Sequence, residues 1–301
     1  MTIGEAVRQT AAELAAGGVG PAAFEARQLA AACFGLPASR LPLEAHAPAA
    51  PEAVERLGKL AARRTAGEPL QYLLGEWEFY GLPFAVGEGV LIPRPDTELL
   101  VDAALERLPA NRPARVLELC AGSGCIAAAV AVHRPACRVT ALEKSPAAFE
   151  YLAKNTHRLA AGRVRPVLGD LLEGPDELGD AAPFDLLLSN PPYIPAGDLP
   201  GLSREVQREP AMALDGGPDG LRFYRAICEN WLSCLTPGGE PAGGNRRRPV
   251  GGGTGHFPAG GPSGDCRPAG YSRHREGHCW DIAGYALLKE GAFSDIIQIT
   301  E

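Results

Sequence analysis

The feature that most constrains this chain is a regular alternation between about residues 96 and 189. Short, largely apolar runs at Arg115–Leu119, Arg138–Leu142, Val164–Leu168 and Phe184–Leu188 are separated by segments with helical periodicity at about 96–108, from the glycine turn through Val132, and at 146–160. Apolar runs of that length bounded by turn residues read as buried strands. Strands that alternate with helices form a parallel sheet covered by helices, so the expected class is α/β and Rossmann-like. In such open sheets, ligands bind just beyond the carboxyl ends of the strands. The residues that follow each run are therefore the candidate site.

The last run leads into Ser189-Asn-Pro-Pro-Tyr-Ile-Pro195. Asn190 offers an amide oxygen to a substrate N–H. Pro191 and Pro192 lack N–H groups and stiffen the turn, so nearby carbonyls can point inward. Tyr193 supplies a flat face for a planar group. Together these four form a cradle for an NH2 on an sp2 system, which suits methylation of an amide or exocyclic amine by S-adenosylmethionine. Asn190, Pro191 and Tyr193 are the expected catalytic residues, and Asn190 to Tyr193 the expected substrate contacts.

The first run leads into Glu118-Leu-Cys-Ala-Gly-Ser-Gly124, small residues that let the backbone approach a ligand at a helix N-terminus. Glu143 ends the next strand, where a carboxylate can take both hydroxyls of a ribose. Asp170 ends the third, where it can accept from an adenine amino group. A third glycine is missing, since Ala127 follows Ile126. That favours a sulfonium cofactor over NAD, which has a pyrophosphate to cradle. No metal ligand set is expected.

Outside this core, residues 1–74 read as a small helical substrate-recognition domain. Thr2 and Glu5 fit a capping box, Ile3, Ala6, Val7 and Leu14 share one face, and further helices are expected at about 21–35 and 51–66. Residues 75–92 read as a β-hairpin linker around Tyr80-Gly-Leu-Pro83, and 93–239 as the Rossmann-like domain. A net charge of −7 argues against a surface built for nucleic acid or a membrane. The start lacks the pattern of a signal peptide, and the apolar run Ile126–Val132 is too short to cross a bilayer. Eight cysteines without a C-x-x-C pair read as reduced thiols of a cytoplasmic protein, expected to be a monomer.

The strings Leu91-Ile-Pro-Arg-Pro-Asp-Thr-Glu98, Glu118 to Gly124, Ser189 to Pro195 and Glu209-Pro-Ala-Met-Ala-Leu-Asp-Gly-Gly217 resemble those of the peptide chain release factor glutamine methyltransferases, the HemK/PrmC family. The likeness runs to about Gly239. It implies a class I S-adenosylmethionine-dependent domain that methylates the side-chain N5 of the glutamine in a release factor's Gly-Gly-Gln loop. It also implies that Cys120, Ala121, Gly122, Ser123, Gly124, Glu143 and Asn190 line the cofactor. Cys120 stands where the family usually has glycine, and Leu171 where an aromatic often covers the adenine. Two other readings are an adenine-amino methyltransferase on DNA or RNA, with a flipped base on Tyr193, and a non-catalytic remnant that binds cofactor or release factor.

Residues 240–301 break the pattern. Positions 241–280 hold 11 Gly, 5 Pro and 6 Arg, with Val250 and Phe257 the only Val, Ile, Leu, Met or Phe, so no buried strand fits there. Codons that can encode Pro241 to Gly253 read LLVEIGADQWEA one base later, a strand entering a helix. The expectation is a frameshift near residue 240, the loss of the family's later strands, and a bare apolar edge on the fourth strand. The competing reading is a Gly/Arg-rich tail that binds RNA through Arg246 to Arg248 with Phe257, Tyr271 and Trp280. His274, His278 and Cys279 are too few for a metal site.

Overall fold

The computed structural model describes residues 1–181, 183–236 and the backbone of a short strand at 286–288. The N-terminal body is built from α1 (Ile3–Ala16), α2 (Ala22–Phe34), α3 (Pro51–Thr65) and α4 (Leu70–Leu74). The capping box at Thr2 is formed in both directions, with Glu5 N donating to Thr2 Oγ1 and Thr2 N donating to Glu5 Oε2. Thr10, not Val7, joins Ile3, Ala6 and Leu14 on the buried stripe of α1. The three longer helices meet around Leu14, Leu29 and Leu57, which are almost fully buried.

The linker is the expected hairpin, β1 (Glu76–Phe79) against β2 (Leu82–Ala85), antiparallel with Phe79 opposite Leu82. Tyr80 and Gly81 make the turn, both at positive φ (54° and 70°), the backbone that a two-residue hairpin of native twist requires.

The larger domain then runs α5 (Glu98–Arg107), β3 (Ala114–Leu119), α6 (Cys125–His133), β4 (Cys137–Glu143), α7 (Pro146–Ala160), β5 (Val164–Leu168), β6 (Leu186–Ser189), α8 (Arg222–Ala226) and β7 (Ala286–Leu288). The sheet order is β5-β4-β3-β6-β7, with β3, β4, β5 and β6 parallel. The chain order reverses between β3 and β6, so the two strand ends flanking that switch point open a crevice.

Alternate residues of each strand point to opposite faces. Val116, Val139, Ala141, Val164, Leu186 and Leu188 pack on α5, α6 and α7. Helix α6 is an alanine-rich slab whose residues from Cys125 to Ala131 are all buried, because it lies between sheet and neighbouring helices. On the other face, Leu117, Leu119, Leu142 and Leu187 meet Phe184, Tyr224, Ile227 and Trp231.

The fourth strand's far edge differs from expectation. Ala286–Leu288 pairs antiparallel with β6, Leu187 opposite Leu288 and Ser189 opposite Ala286. The reason is physical: an edge strand presents a row of unpaired N–H and C=O groups that any extended segment of the chain can satisfy. The Gly/Arg-rich stretch, its aromatic residues, and His274, His278 and Cys279 lie outside the described residues.

Candidate active site

The segments that follow the four parallel strands, together with Gly89, Leu91 and residues of the 210–223 run, surround a cavity of about 230 Å³ at the carboxyl end of the sheet. Of the residues singled out in the sequence, Cys120, Gly122, Glu143, Asp170, Leu171, Asn190 and Pro192 line it. Ala121, Ser123, Gly124, Pro191 and Tyr193 do not.

The turn after β3 is tightly wound. Cys120 lies at φ 57°, a left-handed conformation that costs a side-chain-bearing residue about 1–2 kcal/mol and glycine nothing. Burial pushes the Cys120 thiol well above its ordinary range, so it is a poor nucleophile. Gly124, at φ 76°, serves packing: an added Cβ would sit 2.5 Å from Leu152 Cδ1, so the glycine lets α6 close onto α7. Ser123 is buried, and its carbonyl accepts from Asn155 Nδ2 at 3.0 Å.

Glu143 is buried, and its two carboxylate oxygens are half used. Oε2 accepts from Gly122 N and Oε1 from Ser145 N, each at 2.8 Å. A carboxylate has about four acceptor sites, so capacity remains for a further donor such as a sugar hydroxyl. Burial raises its pKa, an effect the backbone N–H bonds partly offset. Asp170 accepts from Lys144 Nζ at 2.6 Å and Leu172 N at 3.0 Å. Burial pulls its carboxyl up, but the Lys144 and Leu172 bonds outweigh that and hold it below its usual value. Leu171 is buried at the cavity wall, and Trp231 Nε1 donates to its carbonyl at 2.8 Å.

Asn190 sits at the end of β6. Its Nδ2 donates to Thr97 Oγ1 at 3.4 Å, and among the described residues no hydrogen bond to its Oδ1 is formed. Tyr193 is 46% exposed on the outer lip. The run Leu214 to Gly220 holds this loop by its backbone: Ile194 N donates to Leu214 O at 3.0 Å and Gly216 N to Ile194 O at 2.8 Å. Gly220, at φ 76°, packs so closely on the Tyr193 carbonyl that a Cβ would collide with it.

A planar amide at a strand end, beside a glycine turn and two carboxylates on successive strand ends, has the donors and acceptors to hold a flat polar group next to a nucleoside. The PrmC N-terminal domain matches residues 5–75, and a family described as conserved hypothetical protein 95 matches 81–216. The release factor glutamine methyltransferase of Geobacter sulfurreducens is 45% identical over 239 residues, 79% of this chain and 82% of that protein. Those of Moorella thermoacetica (42% identical, 79% and 83%) and Bordetella pertussis (44%, 72% and 78%) are similar to it as well. This chain belongs to the release factor glutamine methyltransferases. Within that family, the fold is the class I, Rossmann-like methyltransferase fold that the resemblance implied, on the parallel sheet expected from the βα alternation.

Several residues that shape the site were not singled out from sequence. Thr97 and Trp231 act through contacts 93 and 60 residues away along the chain, which no local pattern reveals. Lys144 could have been found, since a cation directly after a strand-end acid is a visible signal. Glu118 is fully buried, and neither carboxylate oxygen has a hydrogen-bond partner among the described residues.

Proposed function

We propose that this chain transfers a methyl group from S-adenosylmethionine to the side-chain amide nitrogen (N5) of the glutamine in a release factor's Gly-Gly-Gln loop. The observation that carries the reading is Asn190: its amide lines the same cavity as Cys120, Gly122, Glu143 and Asp170, with Oδ1 open to accept.

The residues fit such a cofactor. Glu143 retains acceptor capacity for the ribose hydroxyls. Asp170 retains acceptor capacity for the adenine amino group, and Leu171 and Leu142 offer apolar walls. Cys120, Ala121, Gly122, Ser123 and Gly124 form the turn against which the amino acid end would lie. When bound, the cofactor supplies an electrophilic methyl on a sulfonium.

An amide nitrogen is a weak nucleophile because its lone pair is delocalised into the carbonyl. Asn190 Oδ1 and the Pro191 carbonyl accept the two substrate N–H bonds, which fixes the nitrogen and raises its electron density. Pro192 stiffens the turn, and Tyr193 packs on the substrate amide plane from the lip. The gain comes from positioning and from stabilising the charge that develops on nitrogen; the methylated nitrogen is strongly acidic and releases one of its two protons to water, with no strong base required.

The same proposal takes 1–74 as the substrate-recognition domain, 75–92 as the linker, 93–239 as the catalytic domain and 240–301 as translation out of frame. It takes the protein as a cytoplasmic monomer that acts on release factors and does not bind nucleic acid or membranes. No helix among the described residues is long and apolar enough to cross a membrane.

Tritium transfer from labelled cofactor to release factor, with DNA in parallel, tests the activity. Asn190→Ala is expected to lower turnover by at least about 100-fold, in the range of losing a preorganised polar contact, with cofactor Kd within several-fold. Equal loss of both would mean that Asn190 builds the pocket. Label on DNA, or cofactor binding without transfer, would replace the reading with one of its competitors.

A further inference from the structure

The amide of Asn190 has two orientations that differ only by exchange of its oxygen and nitrogen. One presents an acceptor to the cavity and the other presents donors. A substrate NH2 is served by the first and repelled by the second. What selects between them is therefore part of the chemistry, and it is a property of whatever touches the amide from behind.

That neighbour is Thr97. It is 2% exposed, and its Oγ1 accepts from Asn190 Nδ2 at 3.4 Å. Thr97 closes the short 3-10 turn Pro95–Thr97 that leads into α5, with its own N–H on Arg94 O at 3.1 Å. Burial and β-branching together restrict the χ1 rotamers open to the Thr97 hydroxyl.

The backbone is held from both sides. Upstream, Glu209, buried at 5% exposure, accepts from Ile92 N at 3.0 Å through Oε2 and from Arg94 Nη2 at 2.5 Å through Oε1. Downstream, Glu98 Oε1 accepts from Tyr80 N at 2.7 Å. The segment 92–98 is thus clamped between the hairpin and the strand-end loop. Glu209 also precedes Pro210, Met212, Ala213 and Asp215, which line the same cavity as Asn190, so the clamp ties Thr97 to that lining.

We infer that Thr97 is a positioning residue that fixes the orientation of the Asn190 amide, so that Oδ1 faces the substrate nitrogen. The inference rests on the proposed function, because it assigns Oδ1 the role of substrate acceptor. Replacing the hydroxyl by a methyl leaves the Asn190 NH2 against an apolar surface. With no oxygen behind Nδ2 to accept from it, nothing there holds Oδ1 toward the cavity, and the acceptor is no longer fixed for the substrate.

The test compares Thr97→Val, Thr97→Ser and Asn190→Ala in the full chain, reading kcat and KM with release factor, cofactor Kd and Tm. Thr97→Val is expected to lower kcat roughly 10- to 100-fold, the span of one unsatisfied buried polar group, with cofactor Kd and KM within about threefold. Thr97→Ser, which keeps the hydroxyl, is expected to recover most of kcat. Should Thr97→Val fail to fold, Thr97→Ala takes its place with the same expectation. Unchanged kcat in the variant lacking the hydroxyl overturns the inference, as does a fall in kcat matched by the loss of cofactor affinity, or a serine variant no better than valine. Turnover that survives in Asn190→Ala overturns the proposed role of Asn190 and this inference with it. Turnover lost in Asn190→Ala but kept in Thr97→Val overturns the inference alone.

Discussion

Glu118 shows how a single side chain can tie stability to pH. It lies at the end of β3 beneath the glycine turn, fully buried, with no hydrogen-bond partner for either oxygen among the described residues. Burial, only partly offset by the nearby Ala127 N–H and aided by the Glu143 carboxylate, pushes its pKa up to about 8 from an ordinary 4.5. A carboxyl whose folded pKa is raised binds more protons folded than unfolded. Its contribution is complete below pH 4.5 and is lost as pH rises through 8. A shift of that size corresponds to something on the order of 3–5 kcal/mol. Urea denaturation of the parent should therefore show stability falling between pH 5 and 8, and Glu118→Gln should flatten that fall. A variant with the same slope as the parent would show that Glu118 is already ionised in the folded protein.

At the level of elements, Asn155 on α7 joins three parts of the chain that have no sequence relation. Its Oδ1 accepts from Ala85 N at 2.8 Å, and its Nδ2 donates to Ala85 O and to Ser123 O, both at 3.0 Å. One amide thereby ends β2, orients α7 and holds the glycine turn. The side chain is fully buried, so removing it strands the Ala85 and Ser123 groups without water. Asn155→Ala is expected to cost about 3 kcal/mol, the penalty of leaving buried backbone groups unpaired, and to weaken cofactor binding through Ser123. Calorimetry on the variant reads the first effect and titration with cofactor the second. Stability lost with affinity kept would confine Asn155 to the packing of the hairpin. The hairpin itself was legible from its alternation. Its attachment was not, because an asparagine inside a helix looks like any polar residue until its partners are known.

For the whole molecule, the question is what joins the N-terminal body to the catalytic domain. Arg64, at the end of α3, is almost fully buried and forks onto Glu25 of α2, Nε to Oε2 at 2.5 Å and Nη2 to Oε1 at 3.0 Å. The same Nη2 reaches Glu205 at 2.5 Å, on the loop after β6. Arg208 of that loop donates to Ala66 O, and Tyr72 of α4 donates to Val90 O in the linker. Charged groups thus span the junction between the two bodies. Removing one partner of a buried pair leaves the other uncompensated, and Arg64→Met is expected to cost about 3–5 kcal/mol. Adding Glu25→Leu should recover most of that loss, since a well-packed apolar pair replaces an ion pair at little net cost. Denaturant midpoints of the single and double variants check this, and a double variant no better than the single would place the energy elsewhere.

Much of this protein is written in local pattern. The βα alternation gave the parallel sheet, the capping box gave the start of α1, and the strand-end positions put Glu143, Asp170 and Asn190 in one cavity. These follow because hydrophobic period and turn chemistry act over a few residues, and because a parallel sheet collects its strand ends on one side. Tertiary structure decided the rest. It placed Thr97 behind Asn190, buried Glu118 completely beneath the glycine turn, put Cys120 in a left-handed conformation, and set Ala286–Leu288 against the edge of β6. Each of these depends on which distant segments meet, and at what angle. That is settled by the packing of whole elements, which no short stretch of sequence carries.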